Sequence, residues 1–236
     1  MMKKVLVIGI YLSGKDNNAK DLVKTFSKSS HYQVVQKWVA LGKGDIESEL
    51  VRVTELQLKE KTPKFKILNR LLTKEKLEEY EFVIITDDDI SLPEDFIDNY
   101  LALVDKYDFS LAQPARTHES NIDHPIVEQL DGLLARKTRF VEIGPLFSIR
   151  KDLYSYLIPF DEDTGMGWGL DAVWPCIVED AGLTMGIVDA FPVEHKMRPP
   201  VINYSHSEAE EEMNRYLKKK KHLSYMEKFR ILESYT

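Results

Sequence analysis

The 236-residue sequence has a single cysteine, Cys176, no long apolar run and no excess of basic residues. One cysteine excludes an internal disulfide and a cysteine-rich zinc site. No apolar stretch approaches the ~20 residues needed to cross a bilayer. The apolar run at residues 1–10 is too short for a secretion signal, so we expect a first strand there. The net charge of −7 gives no overall electrostatic support for binding nucleic acid, so we predict no nucleic-acid partner. We also predict that the protein is cytoplasmic.

The composition predicts one main domain. With 43% hydrophobic and 30% charged residues, the chain is long enough to bury a sizeable core. We assign residues 1–205 to that domain and residues 206–236 to a charged helical extension. In the extension acidic residues precede basic ones, as a helix dipole favours. The extension either packs on the domain or makes a weak peripheral membrane contact through its basic cluster.

The strongest local pattern is the β-branched run at residues 82–86, which is followed directly by Asp87, Asp88 and Asp89. Such a run is typical of a buried central strand, and ligands of open α/β sheets bind at the carboxyl ends of strands. Adjacent carboxylates repel one another unless water or a cation surrounds them. Mg²⁺ and Mn²⁺ commonly bind carboxylates together with substrate phosphates. We therefore predict a metal-diphosphate site here; the alternative is an acidic turn that caps the next helix.

The segments before the triplet supply candidates for a nucleotide pocket. The loop at residues 11–15, which includes Tyr11, follows the first strand but matches neither the P-loop nor the GxGxxG pattern. Residues 46–58 fit a strand or a helix, and we prefer a strand. A helix beginning near Pro63 carries Lys64 and Asn69, which either lie on a solvated face or approach the nucleotide.

The segments after the triplet supply candidates for the chemistry. Residues 114–139 have little periodicity and predict a partly helical excursion on the acceptor side. Glu142 follows, and it faces either solvent or the cleft. Trp168 lies between two glycines and can form an apolar wall against a sugar. Asp171, at the start of a helix, is either a cap or a general base, and His195 is a candidate metal ligand.

Taken together, these residues resemble the glycosyltransferases of the GT-A type. The resemblance rests on the strand with its triplet, the Gly-Trp-Gly-Leu-Asp segment at residues 167–171, and His195 toward the end of the domain. The chain also resembles a domain-of-unknown-function family catalogued as seven-zero-seven, through residues 64–69, 85–90, 110–114, 140–147, 167–171 and 188–195. The resemblance covers most of residues 1–200.

The resemblance implies a single α/β domain with a mixed, mostly parallel sheet. It implies transfer of a sugar from a nucleotide-sugar donor, expected to be a UDP-sugar, to a carbohydrate or other hydroxyl acceptor. The cofactor would be Mn²⁺ or Mg²⁺, bound by Asp89 and His195 with Asp87 or Asp88. Asp171 would be the general base of an inverting reaction, with Glu142 the next candidate. The alternatives are a sugar nucleotidyltransferase and a non-catalytic nucleotide- or carbohydrate-binding module.

Overall fold

The computed structural model describes residues 2–198 and 206–236. The strands within these ranges are β1 (Lys3–Leu12), β2 (Tyr32–Leu41), β3 (Thr54–Leu58), β4 (Phe82–Thr86), β5 (Leu111–Arg116), β6 (Ala135–Thr138), β7 (Leu146–Arg150), β8 (Met185–Val193) and β9 (Ile231–Tyr235). The α-helices are α1 (Ala19–Phe26), α2 (Lys64–Leu72), α3 (Phe96–Lys106), α4 (Tyr154–Leu157), α5 (Leu170–Asp180), α6 (His206–Leu217) and α7 (Tyr225–Lys228). Short 3₁₀ turns lie at Leu77–Glu79, Pro125–Val127 and Lys151–Leu153.

The described strands form one mixed sheet in the order β3-β2-β1-β4-β7-β5-β8-β6-β9. The block β3-β2-β1-β4 is parallel, as is the β5–β8 pair. The remaining pairings, β4–β7, β5–β7, β6–β8 and β6–β9, are antiparallel. The sheet is thus mixed as predicted, but its parallel pairings do not predominate.

The core lies on both faces of the sheet, because successive side chains of a strand point to opposite faces. Leu6 and Ile8 of β1 pack into a cluster with α2 and α5, whereas Val5 and Val7 pack into a cluster with α1 and α3. Every residue of β4 is fully buried, as the apolar run predicted. The carboxyl end of β4 is therefore held rigidly at the centre of the molecule.

The C-terminal extension differs from the prediction. It contains α6 and α7, but it ends in β9, which pairs with β6 at the edge of the sheet. A wholly helical tail is therefore wrong. Three of its lysines form ion pairs with the domain, Lys220 with Asp161, Lys221 with Asp180 and Lys228 with Asp171. Within the described part of the chain, no helix is both long and apolar enough to cross a membrane.

Two further stretches were predicted incorrectly. Residues 48–53 form turns, and only Thr54–Leu58 is a strand. The predicted excursion at residues 114–139 contains the end of β5, a 3₁₀ turn and the whole of β6. In β6, Arg136 is buried and paired with Asp189 at 2.8 Å, so a polar residue stands where a strand pattern requires an apolar one.

Candidate functional site

The carboxylates of the triplet follow β4 directly, and each has different partners. Asp87 accepts a hydrogen bond from Lys64 Nζ at 2.8 Å. Asp88 accepts one from the backbone N–H of Leu12 at 2.7 Å, which is possible because β1 runs parallel beside β4. Asp89 lies against His195, with Oδ1 and Nε2 separated by 3.4 Å. This division reduces the repulsion expected of adjacent acids.

The triplet does not cap the following helix. Helix α3 begins at Phe96, and its N-cap residue is Asp95, whose side chain makes no capping hydrogen bond. The acidic-turn alternative is therefore excluded as the reason for the triplet. Its side chains are instead committed to groups from β1, from α2 and from the segment after β8.

The approach of His195 to Asp89 is fixed by backbone pairing. Ser91 and Glu194 form an antiparallel bridge, with N–H···O distances of 2.9 and 3.1 Å. The His195 N–H also donates to Ser120 Oγ at 2.9 Å, while its Nδ1 is buried without a hydrogen-bond partner among the described residues. An imidazole with Nδ1 unengaged can carry its proton there and leave Nε2 as a ligand.

The residues present fit a divalent cation that takes most of its ligands from substrate and water. No group of three or more His, Cys, Asp or Glu side chains in the described residues is arranged to hold a metal ion. Asp89 and His195 nevertheless present an oxygen and a nitrogen to one another at 3.4 Å. Mg²⁺ sites typically use one or two carboxylates plus substrate phosphates and water, so two protein ligands are sufficient.

Arg198 is a residue of this site that the sequence analysis missed. Its guanidinium pairs with Asp88, and Nη2 lies 3.2 Å from Asp89 Oδ2. Burial raises the pKa of Asp88. For Asp89 burial acts in the same direction, but the hydrogen bonds and electrostatic contacts with His195 and Arg198 outweigh it and lower the pKa. A cationic residue three positions after His195 was the available signal.

Lys64 lies beside the triplet, whereas Asn69 lies in the core. Gly144 makes room for the Lys64–Asp87 pair, because a Cβ there would lie 2.9 Å from both Asp87 Oδ2 and Lys64 Nζ. The Asn69 side chain donates to the carbonyl of Phe160 and accepts from its N–H, each at 2.8 Å. It also donates to Glu162. This buried amide holds residues 160–162 against α2, so its predicted nucleotide contact is not retained.

A cleft of about 800 Å³ opens beside the triplet, at the ends of β1 and β2. Tyr11 and Arg198 belong to its wall, together with residues 13–17. The Tyr11 hydroxyl is hydrogen-bonded to Thr54 Oγ1 at 3.0 Å, which fixes its ring. The loop after β1 thus lines a cavity next to the carboxylates, where the sequence analysis placed a nucleotide pocket.

The Gly-Trp-Gly segment packs against Phe65 of α2 and against Ile143. Gly167 has φ +88°, and a Cβ on it would come within 2.1 Å of the Phe65 ring. Only glycine allows this approach. Trp168 is half-buried, and its carbonyl accepts from the Thr164 hydroxyl at 2.8 Å. This packing leads the chain into α5.

Asp171 is in the first turn of α5, but it is not the cap. The N-cap residue is Gly169, and no side chain caps the helix. Asp171 Oδ2 instead accepts a hydrogen bond from Lys228 Nζ at 2.5 Å, and each side chain is only 12% exposed. The Lys228 ammonium also lies over the rings of Phe140 and Phe229, 5.2 and 5.0 Å from their centroids.

Glu142 faces the interior, which excludes the solvent-facing alternative. It is 6% exposed and accepts from Arg116 Nη2 at 2.6 Å. Burial raises its pKa to about 8, although the Arg116 charge opposes the shift. Arg116, which the sequence analysis did not single out, also donates a hydrogen bond to the carbonyl of Asn121 at 2.6 Å.

One short loop connects the two sides of the site. Gly144 adjoins the Lys64–Asp87 pair, while Ile143 lies 3.2 Å from the Cβ position of Gly167. Glu142, next in the same loop, is close enough to Asp171 for their charges to interact. The triplet, the Gly-Trp-Gly segment and Asp171 are therefore all neighbours of the loop at residues 142–144.

Solved structures share this architecture. GalNAc-T7, crystallised with UDP, GalNAc and Mn²⁺, superposes with a TM-score of 0.58 at 11% identity, over 92% of this chain and 48% of that one. S. aureus TarS residues 1–349, in complex with UDP-GlcNAc, gives a TM-score of 0.57 at 13% identity, over 90% of this chain and 64% of that one. A second TarS structure gives 0.54 at 12% identity, over 92% and 43%.

This chain has a GT-A-like fold. Both neighbours are GT-A glycosyltransferases, and at these identities the likeness shows the fold alone. The chain spans 43% to 64% of the length of these neighbours. No protein-family model and no curated protein sequence matches it, so the narrower resemblance to the seven-zero-seven family is not confirmed.

Proposed function

We propose that this protein is a metal-dependent glycosyltransferase that moves a sugar from a UDP-sugar to a hydroxyl acceptor with inversion at the sugar C1. The observation that carries the proposal is the meeting of Asp89 and His195 at the carboxyl end of β4, beside the 800 Å³ cleft. Ligands of open α/β sheets bind at such ends. The bound UDP and UDP-GlcNAc in the fold neighbours support the choice of donor.

The donor side needs positive charge, because a diphosphate must approach three carboxylates. Asp89 and His195 would hold Mn²⁺ or Mg²⁺, with Asp87 the further candidate, and the cation would stabilise the negative charge of the leaving diphosphate. Arg198, on the wall of the cleft, adds a fixed cation beside the triplet. Tyr11, held by Thr54, would form a wall for the nucleoside.

The acceptor side needs a base. In the proposed step the acceptor oxygen attacks the sugar C1, the bond from C1 to the diphosphate oxygen breaks, and the hydroxyl proton passes to an Asp171 carboxylate oxygen. General bases of this kind act at hydrogen-bond distance from the proton that they remove. Trp168, half-buried before α5, would cover one face of a sugar ring.

The test is calorimetry of UDP binding with Mn²⁺ and with a chelator. We expect binding to be far weaker with chelator, and Asp89→Asn to abolish the difference while the melting temperature is retained. Glu94→Gln, which changes an exposed acid just after the triplet, is the matched control and should behave as wild type. Equal UDP affinity with and without metal in the wild type would refute the metal site.

A screen of UDP-sugars for hydrolysis in Mn²⁺ identifies the donor before an acceptor is known. Hydrolysis of a UDP-sugar supports transfer chemistry. If nucleoside triphosphates stabilise the protein and diphosphates do not, a nucleotidyltransferase replaces the proposal. Nucleotide binding whose affinity does not depend on metal would indicate a non-catalytic binding module instead.

A further inference from the structure

The last fifteen residues of the chain cross the acceptor side of the site. We call residues 222–236 the C-terminal segment. The Leu223 N–H donates to the carbonyl of Ala172 in α5 at 2.9 Å, next to Asp171. Helix α7 follows, and β9 then pairs with β6 at the far edge of the sheet. The Tyr235 ring stacks on Tyr107, with centroids 4.1 Å apart.

Within this segment, Lys228 is the residue that contacts the proposed base. Its ammonium is 2.5 Å from Asp171 Oδ2, between the rings of Phe140 and Phe229. Phe229 in turn packs edge-on to Phe140, with centroids 4.8 Å apart. Because Oδ2 already accepts this hydrogen bond, the proximity of Lys228 keeps an acceptor hydroxyl from reaching it.

Much of the rest of the segment lies at the surface. Helix α7 has four residues, none of them buried. In β9 the side chains of Ile231 and Leu232 are 43% and 44% exposed. Segments with few buried apolar contacts open with low free energy and supply the lids of many binding sites. The contacts over Asp171 are thus made by a segment whose short helix and edge strand are largely exposed.

We infer that the C-terminal segment is a lid over the acceptor site and that Lys228 is the positioning residue that keeps Asp171 engaged until the lid opens. This inference rests on the proposed function, because it takes Asp171 as the base. An acceptor that binds only the open form has its apparent affinity reduced by the fraction of open molecules. Weakening the lid should therefore lower the acceptor KM and leave kcat nearly unchanged.

The test compares Lys228→Met with wild type, using the UDP-sugar hydrolysed in the donor screen and p-nitrophenyl glycosides as acceptor probes. We expect the acceptor KM to fall by up to about tenfold in Lys228→Met and to return toward wild type in Lys228→Arg. Tyr235→Ala weakens the far end of the lid without touching Asp171 and should also lower KM. Lys221→Met removes an exposed lysine ion pair to the same helix, α5, and should change nothing.

A second readout is independent of activity. Deuterium exchange at amides of residues 225–235 should be faster in Lys228→Met than in wild type or Lys221→Met. Unchanged exchange, or a fall in kcat at constant KM, would overturn the inference and leave Lys228 as a support for Asp171. Failure of the proposed function would show instead in the UDP calorimetry, which does not involve Lys228.

Discussion

Replacement of Asp171 by asparagine separates chemistry from stability at the proposed base. Asp171→Asn keeps the size of the side chain and removes its charge. The structure assigns two interactions to that charge. One is the hydrogen bond from Lys228 at 2.5 Å, and the other is the favourable position of an acid in the first turn of α5. Neither involves the proposed donor site, so UDP affinity should stay within about threefold of wild type, ~0.6 kcal/mol.

The loss of stability follows from these two interactions. A hydrogen bond to a charged group contributes about 1.5–3 kcal/mol, and a first-turn acid about 0.3–1 kcal/mol. Both contributions depend on the same charge and do not add fully, so we expect a total of about 2–3 kcal/mol. In a domain of this size that lowers the melting temperature by roughly 4–12 °C. Transfer should fall by about 10²- to 10⁴-fold, equivalent to about 3–5 kcal/mol in the barrier.

The assay measures melting and transfer on the same preparation, below the melting temperature of the variant. Asp180→Asn is the matched control, because Asp180 is also in α5 and also pairs with a lysine of the C-terminal region, but in an exposed position. Asp180→Asn should lower the free energy of unfolding by less than about 1 kcal/mol and leave sugar transfer intact. A destabilised Asp171→Asn with near wild-type transfer would refute Asp171 as the base.

Two further variants test the neighbouring residues. The pKa of Glu142 is raised to about 8 from an ordinary 4.5. Between these values the folded chain keeps a proton that the unfolded chain has lost. The free energy of unfolding should therefore fall from pH 5 toward pH 8, by about 1 kcal/mol per pH unit. Glu142→Gln should flatten this slope in urea titrations, and an unchanged slope would contradict the shift. Gly144→Ala should separate Lys64 from Asp87 by placing a Cβ 2.9 Å from both charged ends, which can move aside. It should weaken Mn²⁺-dependent UDP binding severalfold with a loss of stability below about 1 kcal/mol, and unchanged binding would show that the pair does not contribute.

The sequence predicted the parts of the fold that depend on local pattern. The buried strand β4 and the position of the triplet at its end are confirmed, because a central strand has an unbroken apolar run. The strand β9 was missed because it lies at the sheet edge with four of its five residues exposed, so no alternation marks it. The strand β6 was missed because buried Arg136 takes its charge partner, Asp189, from another strand.

The partners of the site acids could not be predicted, for a related reason. Arg198 reaches the triplet across more than a hundred residues, and Lys228 reaches Asp171 across 57. Such contacts depend on where the tertiary fold places the residues after β8 and the C-terminal segment. The spacing of nearby residues in the sequence does not predict that placement. Helix and strand patterns identified the acids and Lys64, whereas Arg198 and Lys228 were identified only by the tertiary fold.

The nature of each cation bears on which acid can serve as the base. Glu142 is paired with Arg116, which is 3% exposed and is also held by the carbonyl of Asn121. Arginine donates in a fixed planar geometry and does not lose its proton, so this pair is costly to break. Asp171 is paired with Lys228, a flexible side chain on a four-residue helix with no buried residues. Its carboxylate is released when that helix moves, whereas Glu142 is freed only by disrupting the interior. This difference favours Asp171 as the acid that accepts the proton and Glu142 as the one that orders the loop between the donor and acceptor sides.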